Sequence, residues 1–87
     1  ATPFSILDLV PNPAGNECAV QFESSLSATM TFTLHDLMGR TVLTQVQKTV
    51  PGLAAMHIDT QHLPAGVYTA TLSDGVNQLS RRLQIEH

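Results

Sequence analysis

The sequence predicts an all-β domain of two packed antiparallel layers, a seven-strand β-sandwich, and three observations predict it. Hydrophobicity repeats every second residue along most of the chain. Turn-forming clusters interrupt that repeat at intervals of about 8–14 residues, the rhythm of a sandwich. No segment carries apolar residues at helical spacing.

Seven strands are expected, near residues 4–10, 17–23, 28–36, 40–47, 53–59, 66–74 and 77–85, with residues 1–8 either a linker or the first strand. In the second, Cys18, Val20 and Phe22 alternate with Glu17, Gln21 and Glu23. The third is the clearest: between Ala28 and His35 every even position is apolar and every odd one is Thr or His, the mark of a strand with one wet face. In the fifth, Met56 and Ile58 alternate with His57 and Asp59; in the sixth, Tyr68, Ala70 and Leu72 alternate with Thr69, Thr71 and Ser73. Between them lie Pro11-Asn12-Pro13-Ala14-Gly15-Asn16, Ser24-Ser25, Met38-Gly39, Pro51-Gly52, Pro64-Ala65-Gly66 and Asp74-Gly75, all turn formers. The expected core is Val20, Phe22, Met30, Phe32, Leu34, Val42, Val46, Met56, Ile58, Tyr68, Ala70, Leu72, Leu79, Leu83 and Ile85. Arg81 shares parity with Leu79, Leu83 and Ile85. Either a bulge shifts the register there or that end of the strand is uncovered.

Eighty-seven residues make a single domain, 1–87, that buries a modest core. Hydrophobic content of 43% against 13% charged residues is too apolar for intrinsic disorder. The net charge of −3, with Arg81-Arg82 the only adjacent cations, gives no footprint for nucleic acid. No apolar run approaches the ~20 residues of a membrane helix. The absence of an initiator Met and of a basic-then-apolar leader suggests a fragment excised from a longer precursor. The single Cys18 excludes an internal disulfide framework.

The reactive residue types do not assemble into a reaction centre. His57 and Asp59 share a strand face, two residues apart, without a third ligand at useful spacing, so a solvated face and no metal is expected. His35 falls on the Thr face and is expected to be exposed. Cys18 lies on apolar parity, where cysteine behaves as a small hydrophobe. There is no Gly-rich phosphate loop, strained Ser elbow or apolar pair of carboxylates, and neither a cofactor nor catalysis is expected.

Three motifs have structural readings. Leu63-Pro64-Ala65-Gly66-Val67-Tyr68 fits the corner in which a tyrosine at the start of a late strand bonds the backbone a few residues upstream, a device of immunoglobulin-like sandwiches. In Asp36-Leu37-Met38-Gly39-Arg40, Gly39 supplies the positive φ of a hairpin turn and Asp36 bonds the turn backbone. Pro11-Asn12-Pro13 stiffens the chain ahead of the second strand and withholds two pairing nitrogens, as at a junction between a linker and a domain.

Taken in order, these pieces resemble the type A C-terminal sorting domain of the type IX (Por) secretion system of Bacteroidetes. The matching residues are Leu9-Val10-Pro11-Asn12-Pro13, Asp36 to Arg40, Gly52, Ile58-Asp59, Leu63 to Tyr68 with Gly66, and Arg81-Arg82-Leu83, spanning residues 9–85. The resemblance implies a seven-stranded immunoglobulin-like sandwich without catalytic residues, carried by a cargo protein. It implies that this signal directs the cargo across the periplasm and through an outer-membrane translocon, and that a sortase-like cysteine protease removes it as the cargo is attached to the cell surface. By position, Leu79, Arg81, Arg82, Leu83, Gln84 and Ile85 correspond to the terminal strand that carries much of the signal. Family members often finish with lysine or a short apolar-basic tail, whereas this chain finishes Gln84-Ile85-Glu86-His87.

A terminal strand bearing Arg81-Arg82 on an acidic domain offers a receptor both an edge to pair with and a local positive charge, and permits a homodimer by strand exchange. The rival reading is a non-catalytic fibronectin-like or immunoglobulin-like spacer or adhesion module of a secreted enzyme. A carbohydrate-binding module is disfavoured, because there is no Trp and core parity claims Phe22 and Phe32, leaving Phe4 as the free platform.

Overall fold

The alternation seen in the sequence becomes seven strands in the computed structural model, which describes residues 4–10, 12 and 14–86. They are β1 (Phe4–Val10), β2 (Glu17–Ser24), β3 (Ala28–His35), β4 (Thr41–Thr49), β5 (Gly52–Asp59), β6 (Gly66–Ser73) and β7 (Gln78–Ile85). Ala14 adds an isolated parallel bridge to Ile85, a one-residue eighth β segment that the expected seven did not include. The described residues contain no helix. Pro11 and Pro13, and residues 1–3 of the expected linker, lie outside the described residues.

The strands form two antiparallel sheets, β1-β2-β5 and β4-β3-β6-β7. Period two puts alternate residues of each on one face, and the buried residues of both sheets form one apolar cluster. At its centre are Val20, Phe22, Met30, Phe32, Leu34, Met56, Ile58, Leu72, Leu83 and Ile85, all expected there. Leu79 and Val42 are only half-buried against it.

Val46 is a correction: 60% of it is exposed. The β3–β4 register sets Val46 opposite Thr31 on the outer face and shifts between Leu34 and His35. The inward parity of β4 therefore belongs to Leu43, Gln45 and Gln47, and a hydrophobicity pattern does not nominate the two glutamines. Phe4 is a second correction. It is 4% exposed and packs in the core with Ile6 and Leu9, so it offers no stacking platform. The three-residue step from Ile6 to Leu9 arises from a register shift between Ile6 and Asp8, which hides β1's contribution from a period-two count. His35 is half-buried rather than exposed.

Side chains link the sheets along both seams. Between edge strands β4 and β5, Gln45 Nε2 donates to the His57 carbonyl at 2.8 Å and Gln47 Nε2 to the Ala55 carbonyl at 3.4 Å. On the opposite seam lies Arg81. The β6–β7 register runs unshifted from Ser73↔Gln78 to Gly66↔Ile85, so there is no bulge and Arg81 keeps inward parity opposite Ala70. Its end of β7 is uncovered, the second of the two alternatives: Arg81 is exposed, and its Nη2 crosses the seam to the Ile6 carbonyl at 3.4 Å.

Candidate functional site

β7 closes one side of the four-stranded sheet. Alternation along it divides the six expected recognition residues into three groups. Leu83 and Ile85 are fully buried and Leu79 is half-buried, so these three anchor the strand and are not offered to a partner. Arg82 and Gln84 are exposed on the outer face, where the register sets Arg82 beside Thr69 and Gln84 beside Val67. Arg81 belongs to the seam.

The outer edge of β7 is not bare. Asn12 Nδ2 donates to the Arg82 carbonyl at 3.2 Å, and the Gln84 N–H donates to Asn12 Oδ1 at 3.1 Å. Next along, the Ala14 N–H donates to the Gln84 carbonyl and the Glu86 N–H to the Ala14 carbonyl, both at 2.7 Å. Asn12, read from the sequence as part of a stiff junction, is thus a side chain holding the terminal strand some 70 residues away. Sequence spacing carried no signal of that contact.

The other motif residues shape loops. At the β3–β4 hairpin, Asp36 Oδ1 accepts the Met38 and Arg40 N–H groups at 2.9 and 3.0 Å, and Asp36 Oδ2 accepts Arg40 Nε at 2.9 Å. The Arg40 backbone N–H, first among these contacts, holds the Asp36 carboxyl below the usual carboxylate range. Gly39 takes φ +83° there and Gly52 takes φ +119° in the β4–β5 turn, conformations that an L side chain strains. The hairpin projects Leu37 and Met38 into solvent. At the end of β5, Asp59 Oδ1 accepts the Gln61 N–H at 3.1 Å.

The tyrosine corner forms as expected: Tyr68 Oη donates to the Pro64 carbonyl, Leu63 packs against the core, and Gly66 opens β6. Thr60, which the sequence did not single out, is buried beside it. Its Oγ1 donates to the Gly15 carbonyl at 2.7 Å and its N–H to the Asn16 carbonyl at 2.9 Å, tying the β5–β6 loop to the β1–β2 loop. A hydroxyl in a loop carries no periodic signal that would have found it.

Burial pushes the Cys18 thiol up, with a smaller opposing effect from the Val10 backbone. A thiol so placed is a poor nucleophile. His57 and Asp59 line a shallow depression with Glu17, Gln45, Ile58 and Gln61. Among the described residues no group of three or more His, Cys, Asp or Glu is placed to hold a metal ion.

The family model for the secretion system C-terminal sorting domain matches residues 8–86. In fold the chain is similar to part of dimeric latent PorU from Porphyromonas gingivalis, with a TM-score of 0.75 and 14% identity over 98% of this chain and 10% of that one. It is also similar to part of the β-glucuronidase of Parabacteroides merdae, with a TM-score of 0.56 and 17% identity over 98% of this chain and 14% of that one. The chain thus spans about a tenth and about a seventh of the length of those two proteins. No curated protein matches it.

Proposed function

The chain belongs to the secretion system C-terminal sorting domain family, the C-terminal secretion signal of type IX export, and from this premise we propose how the signal is presented. Membership places the domain on a cargo protein, in contact with the type IX machinery, bound for the cell surface or the medium. The domain, residues 1–87, is a non-catalytic immunoglobulin-like sandwich without cofactor. It crosses the periplasm with its cargo, and the outer-membrane translocon reads its terminal strand. A sortase-like cysteine protease then removes it.

The observation that carries this reading is the division of β7. Leu79, Leu83 and Ile85 fix the strand in the core while Arg82 and Gln84 face outward. A receptor gains a preformed strand with a cation beside it, on a molecule of net charge −3. Pro11, Asn12, Pro13, Asp36, Gly39, Arg40, Gly52, Asp59, Leu63, Gly66 and Tyr68 serve the shape of the domain.

The test fuses the domain to the C-terminus of a periplasmic reporter in a type IX-competent bacterium. Surface delivery with loss of about 9 kDa is expected. Retention in the periplasm would favour the spacer reading. Arg82→Glu is the cleaner point variant, because Arg81→Glu also removes the contact to Ile6. Arg82→Glu is expected to strand the reporter while leaving the domain folded; undiminished delivery of that variant counts against a receptor that reads this cation.

A further inference from the structure

Resting on the reading of β7 as the docking strand, we propose that the outer edge of β7 is a strand-accepting surface. Asn12 and Ala14 of the same chain hold it in the free domain, and a partner's extended segment takes their place, running parallel to β7. The occupant already seen there defines what fits. Ala14 bridges Ile85 in parallel orientation and bonds the backbone of Gln84 and Glu86 on either side. One step earlier, the Asn12 side-chain amide does what a main-chain amide does in a parallel ladder: it gives an N–H to the Arg82 carbonyl and accepts the Gln84 N–H.

That occupant is a short one. Asn12 and Ala14 together make four bonds, two of them through a flexible side chain, and they engage only the Arg82–Glu86 end of an edge strand that begins at Gln78. An extended partner segment replaces the side-chain bonds with main-chain ones and continues the ladder toward Ser80, so exchange costs little and gains length. Exposed Arg82 beside the edge selects a segment carrying a carboxylate at the adjoining position. The junction ahead of β2 and the terminal strand are thereby coupled: reading one releases the other.

A covalent lock tests this. In a Cys18→Ala background, Ala14→Cys with Ile85→Cys joins the two bridge partners, whose spacing in a β ladder suits a disulfide, and the oxidising periplasm favours the bond. Fused to the reporter, the locked domain is expected to lower surface delivery at least about tenfold relative to the background and to either single-cysteine variant, with reductant restoring it. Delivery of the locked domain at the background level overturns the proposal while leaving the sorting role standing. Failure of the background itself removes the sorting role, and the proposal with it. Independently of export, Asn12→Ala is expected to speed hydrogen exchange of the Gln84 amide about fivefold. The Leu83 amide, which faces β6, is expected to stay as it was. Equal Gln84 exchange in the two proteins would show that Asn12 does not hold the edge.

Discussion

Asp36 and Asp74 each fasten a hairpin by accepting several backbone N–H groups, Asp36 from Met38 and Arg40, and Asp74 from Val76 and Asn77 at 2.9 and 2.7 Å. The Arg40 N–H for Asp36, and the Asn77 N–H for Asp74, lead the effects that lower the two carboxyl pKa values in the folded state. A depressed folded pKa gives stability that is whole above the unfolded pKa and is lost as pH falls through the folded one. Thermal midpoints are therefore expected to hold steady from neutral pH to about 5 and to drop below about 4. The paired substitution Asp36→Asn and Asp74→Asn should flatten that acid limb; a limb as steep as before would place the loss on other groups. Tyr68→Phe keeps the ring in the core and removes only the donor to Pro64, so a loss of about 1 kcal/mol in urea unfolding is expected, with export of a fused reporter unchanged. Cys18, 1% exposed with its thiol held protonated, is expected to resist a thiol-specific chromogenic reagent until denaturant unfolds the domain. Rapid labelling in buffer would show that β2 opens locally.

At the scale of elements, β3 was legible almost residue by residue, because a central strand has one wet and one dry face and its Thr and apolar residues separate cleanly. β4 was misread. An edge strand need not present apolar side chains inward, and here Gln45 and Gln47 occupy inward parity and reach across to carbonyls of β5. Those amides cover the edge of β5 as well as joining the sheets. Gln45→Ala with Gln47→Ala is expected to lower stability by about 1 kcal/mol, both pairs being solvent-exposed. It also uncovers the β5 edge, so light scattering should show more concentration-dependent association than the unaltered domain does. The tyrosine corner was read correctly because all its parts lie within six residues, from Leu63 to Tyr68. The hold of Asn12 on β7 joins residues some 70 positions apart and left no local trace.

Across the whole molecule, charge is sorted between the two sheets. The strands β1, β2 and β5 carry Asp8, Glu17, Glu23 and Asp59 without a Lys or Arg, whereas β4, β3, β6 and β7 carry Lys48, Arg81 and Arg82 without a carboxylate. The two outer faces thus present opposite signs to any partner. Stability rests instead on the shared core. Phe32→Ala is expected to cost about 3–5 kcal/mol, enough to unfold a domain of this size, whereas Val46→Thr, on a side chain 60% exposed, should change stability by less than about 0.5 kcal/mol. A large effect of Val46→Thr in urea unfolding would mean that the outer face of β4 is covered in solution.

What the sequence by itself determined was the all-β class, most strand boundaries, the turns and the family. All of these follow from period-two alternation and from the local chemistry of Gly, Pro and Asp, which act over a few neighbouring residues. Only the tertiary structure decided which side chains cross the seams, where Arg81 goes, and that the edge of β7 is held by Asn12 and Ala14. Those outcomes depend on strand order and register, set by how two sheets fit over one core, and no local pattern in the chain encodes a meeting between residues so far apart.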